Sequence, residues 1–242
     1  MRYKCTCSYD GSLFHGFQIQ ENLRTVQSEI ELVLKEVLKK DITIFASGRT
    51  DALVHAIGQV FHFDSDIVMT GSQMKRAINS YLPKDIYIKN VEIVSDEFHS
   101  RFSAVSKEYH YVISLIEYDP LKRNYVCHPL YKNIDYDRME KASKIFIGEH
   151  DFKSFSKLGK NENTIRNIES IEFCYGNNQL VIKIVGNGFL HNMVRIIVGM
   201  LFEVGKGKLD EEYLKMALDK KDRKYCPKVA PAEGLYLYKV NY

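Results

Sequence analysis

Residues Ser47 to Val60 read Ser-Gly-Arg-Thr-Asp-Ala-Leu-Val-His-Ala-Ile-Gly-Gln-Val. They put an arginine, a hydroxyl and a carboxylate into a short turn between two apolar strands. Such a turn can fix one ionised carboxylate, Asp51, at the mouth of a cleft. A carboxylate acts as nucleophile or base only when deprotonated, and a cation such as Arg49 close by favours that form. The plainer reading is a turn in which Asp51 or Thr50 binds nearby backbone amides and Arg49 makes an ordinary ion pair. Spacing alone leaves both readings open, because short motifs match by accident.

Other residues carry weaker signals. Tyr109 and Tyr111 share one strand face. Packing is the default for tyrosines at period two, but one at a cleft edge could stack on an extruded base. His55, His62, His110 and His191 are scattered, with no helical pair and no carboxylate pattern of a zinc site, so no metal is expected. Basic residues cluster at Lys75-Arg76, from Lys153 to Arg166 and from Lys220 to Lys228. Lys220, Lys221, Arg223, Lys224 and Lys228 are the best phosphate candidates, diluted by Asp219 and Asp222. Arg195 sits among apolar neighbours and needs a partner there.

The elements that must position these residues follow from periodicity. Tyr3 to Tyr9 alternates as a half-buried strand. Thr25 caps a helix with Val26, Ile30, Val33, Leu34, Val37 and Leu38 on one face. Ile42 to Phe45 reads as a strand, and Gln59 to Phe63 as the next. A second helix carries Met74, Ala77, Ile78, Tyr81 and Leu82 and stops at Pro83. Ile86 to Val94 closes a β-α-β-β-α-β order, the ferredoxin-like arrangement. The same order recurs in a strand from Glu108 to Ile116 and a helix from Asp135 with Met139, Ala142 and Phe146 inward. It continues in strands Ser170–Tyr175 and Gln179–Val185 around a three-residue turn, then helices Phe189–Val204 and Glu211–Leu218 and a last strand, Leu235–Val240. The expected fold is α+β: two similar ferredoxin-like or RRM-like lobes with mixed, mostly antiparallel sheets and a central cleft. The lobes are expected at 1–104, with the loop 47–58, and at 105–242, completing the cleft. The connection between second and third strands is short in the second lobe and long in the first, and long connections tend to carry function.

The chain of 242 residues is long enough for two lobes, each with its own core. Its 45% apolar and 27% charged residues are ordinary for a soluble globular protein. No apolar run approaches the roughly 20 residues of a membrane span, and Met1-Arg2-Tyr3-Lys4 leads directly into a strand, unlike a signal peptide. Five cysteines without a C-x-x-C pair fit a reduced, cytoplasmic setting. A net charge of +3 is a weak pointer to nucleic acid.

Motifs in fixed order extend this reading. They are Ser8-Tyr9-Asp10-Gly11-Ser12 with Gly16-Phe17-Gln18, Thr25-Val26-Gln27, Gly48-Arg49-Thr50-Asp51-Ala52 with Val54-His55-Ala56, and Leu82-Pro83-Lys84-Asp85-Ile86. Phe98 to Ala104, Lys107-Glu108-Tyr109-His110-Tyr111, and His150-Asp151-Phe152 through Phe155 follow. Gly188-Phe189-Leu190 with Met193-Val194-Arg195 and Pro231 to Leu235 complete the set. Over nearly the full length the chain resembles the TruA-type pseudouridine synthase family. The resemblance implies that Asp51 is the catalytic aspartate, that Arg49 pairs with it and helps open the RNA helix, and that Tyr109 stacks on the target base. Arg195, His55, Gln59 and Leu190 join Tyr109 in the implied substrate-binding set. It also implies a homodimer that acts without cofactor or metal on uridines 38–40 in the anticodon stem-loop of tRNA.

One position departs. The family usually carries glycine where this chain has Leu53, and leucine is strained if that glycine takes a positive φ. A paralogue acting on another RNA site is therefore an alternative, as is a binding-only RNA scaffold. A nucleoside hydrolase normally needs two cooperating carboxylates, and only Asp51 lies near the loop.

Overall fold

The computed structural model describes residues 1–129, 133–157 and 163–242. The chain is α+β and divides into two compact units, Met1–Val105 with Tyr236–Tyr242, and Ser106–Leu235.

In the first unit β1 (Arg2–Tyr9) buries alternate residues, with Tyr3, Cys5 and Cys7 fully enclosed. α1 (Val26–Leu38) starts at a capping box in which the side chains of Thr25 and Ser28 satisfy each other's amides. It buries Val26, Ile30, Val33, Leu34 and Leu38 and stops at Lys39, in the left-handed region at φ 53°. β2 (Phe45–Ala46) is shorter than the strand expected over 42–45. β3 (His55–Asp64) starts earlier than expected, because His55 and Ala56 pair in parallel with Tyr236 and Leu237, a tertiary partnership that local alternation does not contain. α2 (Gly71–Asn79) ends before Tyr81, which is exposed rather than on the buried helix face, because the Ser80 amide closes the last turn on Arg76 and Ile78.

β4 (Ile86–Val94) and β3 flank β1, both antiparallel to it, with Cys5 opposite both Phe61 and Val91. β2 and β9 (Leu235–Asn241) both pair with β3, at different ends. The order β4-β1-β3-β2 is that of a ferredoxin-like sheet.

The second unit holds β5 (Ser106–Ser114), α3 (Tyr136–Ser143), β6 (Gly148–Asp151), β7 (Ile165–Gly176), β8 (Gln179–Gly186), α4 (Met193–Gly205) and α5 (Glu211–Lys220). Its sheet runs β5-β8-β7-β6 and is antiparallel at the β5–β8, β8–β7 and β7–β6 pairings. The β7–β8 hairpin closes on two residues, not three. Asn177 and Asn178 both have positive φ, at 51° and 59°, the primed turn that matches strand twist. α4 begins at Met193 rather than Phe189, after Asn192 at φ 61°. It is buried on nearly every side, as a central core helix should be. β6 has no counterpart in the expected order.

The division also differs from the expected lobes at its end. Tyr236–Tyr242 clusters with the first unit. Its anchors are the His55–Tyr236 ring stack at 4.7 Å, the Val105 amide on Asn241 O at 2.9 Å and the Tyr242 hydroxyl on Ser100 O at 2.8 Å. Among the described residues no helix is long and apolar enough to cross a membrane.

Candidate active site

The connection between β2 and β3, residues 47–54, is shorter than the expected loop, and its stem is held by a buried polar clamp. The Ser47 amide donates to Val60 O at 2.7 Å. The Gln59 side chain, fully buried, accepts from the Ser47 hydroxyl at 2.8 Å and donates to Gly48 O at 2.9 Å. Gln59 therefore braces the loop's base; losing it would leave buried polar groups unpaired, at a cost of about 1–3 kcal/mol.

A second loop, residues 10–17, backs the first. The Phe17 amide donates to Thr50 O at 3.1 Å and the Leu53 amide to Phe14 O at 3.4 Å. The Tyr9 hydroxyl and Thr50 Oγ1 are 2.8 Å apart, both buried. The Gly11 amide donates to His55 Nδ1 at 3.0 Å, which places the proton of a neutral ring on Nε2. Two glycines permit this approach. Gly16 has φ 96°, and a Cβ there would lie 2.9 Å from Thr50 O. A Cβ on Gly11 would strike the Val54 carbonyl. The loop is held from behind by Arg24, which bonds Asp85 at 2.7 Å and Glu29 at 2.7 Å and lies 4.2 Å from the Phe14 ring centre. None of Tyr9, Asp10, Gly11, Gly16 or Arg24 stood out as a functional residue in the sequence. The available signal was the motif pair Ser8–Ser12 and Gly16–Gln18, to which no role was attached.

Asp51 opens a tight turn. The Val54 amide donates back to Asp51 O at 3.3 Å, and the third residue, Leu53, has φ 66°. A positive φ at that place is the requirement of a type II turn, normally met by Gly or Asn. For a leucine it costs roughly 1–2 kcal/mol. Asp51 is half-buried, while Arg49 and Leu53 are exposed. The backbone around Asp51 is held by the second loop, through Thr50 O and the Leu53 amide.

The expected binding residues divide by unit. In the first, His55 is 2% exposed and stacked on Tyr236, and Gln59 is wholly enclosed. Both are placed as supports of the loop. In the second, Tyr109 is buried and meets the Phe189 ring edge-on at 5.1 Å. Leu190 is buried, and its carbonyl receives the first amide of α4, that of Met193, at 3.0 Å. Arg195 finds its partners at Ala230 and at the residue that precedes α4: Nε donates to Ala230 O at 2.9 Å and a terminal nitrogen to Asn192 Oδ1 at 3.1 Å. Of the basic clusters, Lys221 is paired with Asp151 at 3.1 Å and Lys224 with Asp222 at 3.0 Å. Lys160, within the 153–166 cluster, lies outside the described residues.

The stem of the connection carries a titrating group. His62 on β3 stacks on Phe45 of β2 at 5.2 Å, touches His99 at 4.7 Å and sits 2.7 Å from the Ser100 hydroxyl. Burial, with the nearby Arg2 charge, pushes its imidazole down to about 4.

Comparison with known proteins agrees with the motif order. A family model described as tRNA pseudouridine synthase matches residues 6–103 and 142–242. A tRNA pseudouridine synthase A of Listeria monocytogenes serotype 4b is 46% identical over 246 residues, covering 100% of this chain and 99% of that one. That of Geobacillus sp. strain WCH70 is 46% identical over 244 residues, covering 100% and 98%. A solved structure described as a Cbf5-Nop10-Gar1 complex aligns over 81% of this chain and 52% of the other, with a TM-score of 0.35 and 10% identity, too loosely to bear on the argument.

Proposed function

The chain belongs to the tRNA pseudouridine synthase family, and from that premise we propose that it converts uridine to pseudouridine in the anticodon stem-loop of tRNA, with Asp51 as the reacting carboxylate. The observation that carries the role of Asp51 is its place at the head of a turn whose backbone is bonded to Phe14 and Phe17 and braced by Gln59. A catalytic group acts efficiently when held in one geometry before substrate arrives.

The isomerisation breaks the N1–C1′ bond, turns the uracil and joins C5 to C1′. The C5 proton is lost and N1 regains one, so no atoms or electrons are gained overall. A carboxylate serves each available route: addition to the ring, attack at C1′, or removal of a ribose proton. In every case it acts ionised. The target base must first leave its stack, at a cost of about a few kcal/mol. The exposed Arg49, two residues from Asp51, is suited to hold a backbone phosphate of the opened strand. Tyr109 is assigned the stacking face for the base, and Arg195 and Leu190 the shaping of the segment beside it. His55 and Gln59 act by holding the loop. A cytoplasmic homodimer gripping one tRNA, with uridines 38–40 as targets, completes the reading.

Tritium release from an unmodified tRNA transcript carrying 5-tritiated uridine tests it. Release by the wild type and none by Asp51→Ala supports the assignment. Release of free uracil would instead identify a hydrolase.

A further inference from the structure

We infer that Leu53 is a substrate-contacting residue, presenting an apolar side chain to the nucleotide delivered to Asp51. The inference rests on the RNA-directed function proposed above.

Eight non-glycine residues among those described have positive φ. Asn22, Asn133, Asn177, Asn178 and Asn192 are of the type that tolerates it. Lys39 and Lys221 are the C-caps of α1 and α5, where the chain leaves a helix. Leu53, at φ 66°, is the remaining case and has neither excuse. A bulky side chain in that region is an outlier.

Core packing does not explain the strain, because the Leu53 side chain is 45% exposed. Nor does a slack loop, since the turn is bonded at Val54 to Asp51 and at Leu53 to Phe14. The main chain of Gly11 and Gly16 presses against it. Strain that is over-determined by its surroundings and unrewarded in the free protein is the pattern of a functional position. Leu53 is two residues from Asp51, so their Cα atoms lie within about 7 Å of each other. A nucleotide seated at the carboxylate is large enough to reach the exposed Leu53 side chain. The second loop also carries an exposed apolar residue, Leu13, 69% exposed, next to the Phe14 whose carbonyl binds the Leu53 amide. An apolar surface beside an extruded nucleotide packs on ribose and base faces, excludes water and fills space left by an unstacked base.

The test measures binding of unmodified tRNA on an Asp51→Asn background, where chemistry does not enter, together with thermal unfolding and the kinetics of the catalytically intact variants. Leu53→Asn, which relieves the strain and removes the apolar chain, should raise Tm by about 2–4 °C. It should weaken tRNA binding roughly tenfold. In the intact enzyme KM should rise to a similar extent, with kcat changed by less than about threefold. Leu53→Met should bind within about threefold of the parent. Equal affinity of Leu53→Asn and parent, or a tighter complex, overturns the contact even if the wild type isomerises tRNA. A tenfold loss of affinity with a wild type that forms no pseudouridine overturns the functional reading and leaves the contact standing.

Discussion

The two units make the same link, from one antiparallel strand to the next, in different ways. Between β7 and β8 the chain turns on Asn177 and Asn178, both in the left-handed region and both of a type that tolerates it. Between β2 and β3 it takes the longer 47–54 loop and puts a leucine, Leu53, in that region. The first connection needs only to reverse direction, and its residues suit the backbone they adopt. The second holds a carboxylate in place, and its backbone is dictated by a second loop, a buried glutamine and two glycines rather than by its own preferences. Local consistency yields where function demands a particular geometry.

The largest effect expected from this contrast is at the carboxylate. Asp51→Ala should lower the rate of pseudouridine formation by at least about 10²–10⁴-fold with little change in Tm. Asn178→Ala, at the other connection, should leave the rate untouched. Next comes the backing loop. Gly16→Ala forces a side chain onto the Thr50 carbonyl at φ 96°. It should reduce activity by up to about 10²-fold by displacing Asp51 and destabilise by about 1–2 kcal/mol. Retained activity would show that the second loop does not hold the first.

Acid should loosen the stem of the long connection. His62 has an ordinary value of 6.5, and the folded environment lowers it to about 4. The unfolded chain binds a proton in that window and the folded chain does not, so stability is full above about 6.5 and falls as pH drops toward 4. Burial lowers His110 in the second unit as well, giving a slope of the same sign. Tm measured from pH 7 to 4.5 should decline, less steeply in His62→Gln than in the wild type; a flat profile would refute the assignment. The smallest effect is the most specific to the comparison. Leu53→Gly should stabilise by about 0.5–1 kcal/mol, strain relief partly offset by chain entropy, whereas Asn177→Gly should change stability by a few tenths at most. Equal responses at both turns would remove the contrast.

Much of the framework was legible in the sequence because it depends on local periodicity. The alternation of Tyr3, Cys5, Cys7 and Tyr9, the helical stripe from Val26 to Leu38 and the strand at Ile86–Val94 all appear where expected. The failures lie where a distant partner decides. β9 clusters with the first unit, and the start of β3 is set by its pairing with β9. The Asp51 loop was visible as a motif, but its support was not. Nothing in residue type reveals that His55 and Gln59 face inward, or that Gly11 and Gly16 touch the loop. Leu53 was recognisable as a departure; its positive φ required coordinates.

The central claim, that the long connection exists to aim Asp51 at a uridine in tRNA, is tested most directly by nucleoside-resolved mapping of pseudouridine in unmodified tRNA incubated with the wild-type protein and with Asp51→Ala. The account predicts new pseudouridine in the anticodon stem-loop with the wild type alone. Pseudouridine formed equally by both proteins, or by neither despite tRNA binding, would contradict it.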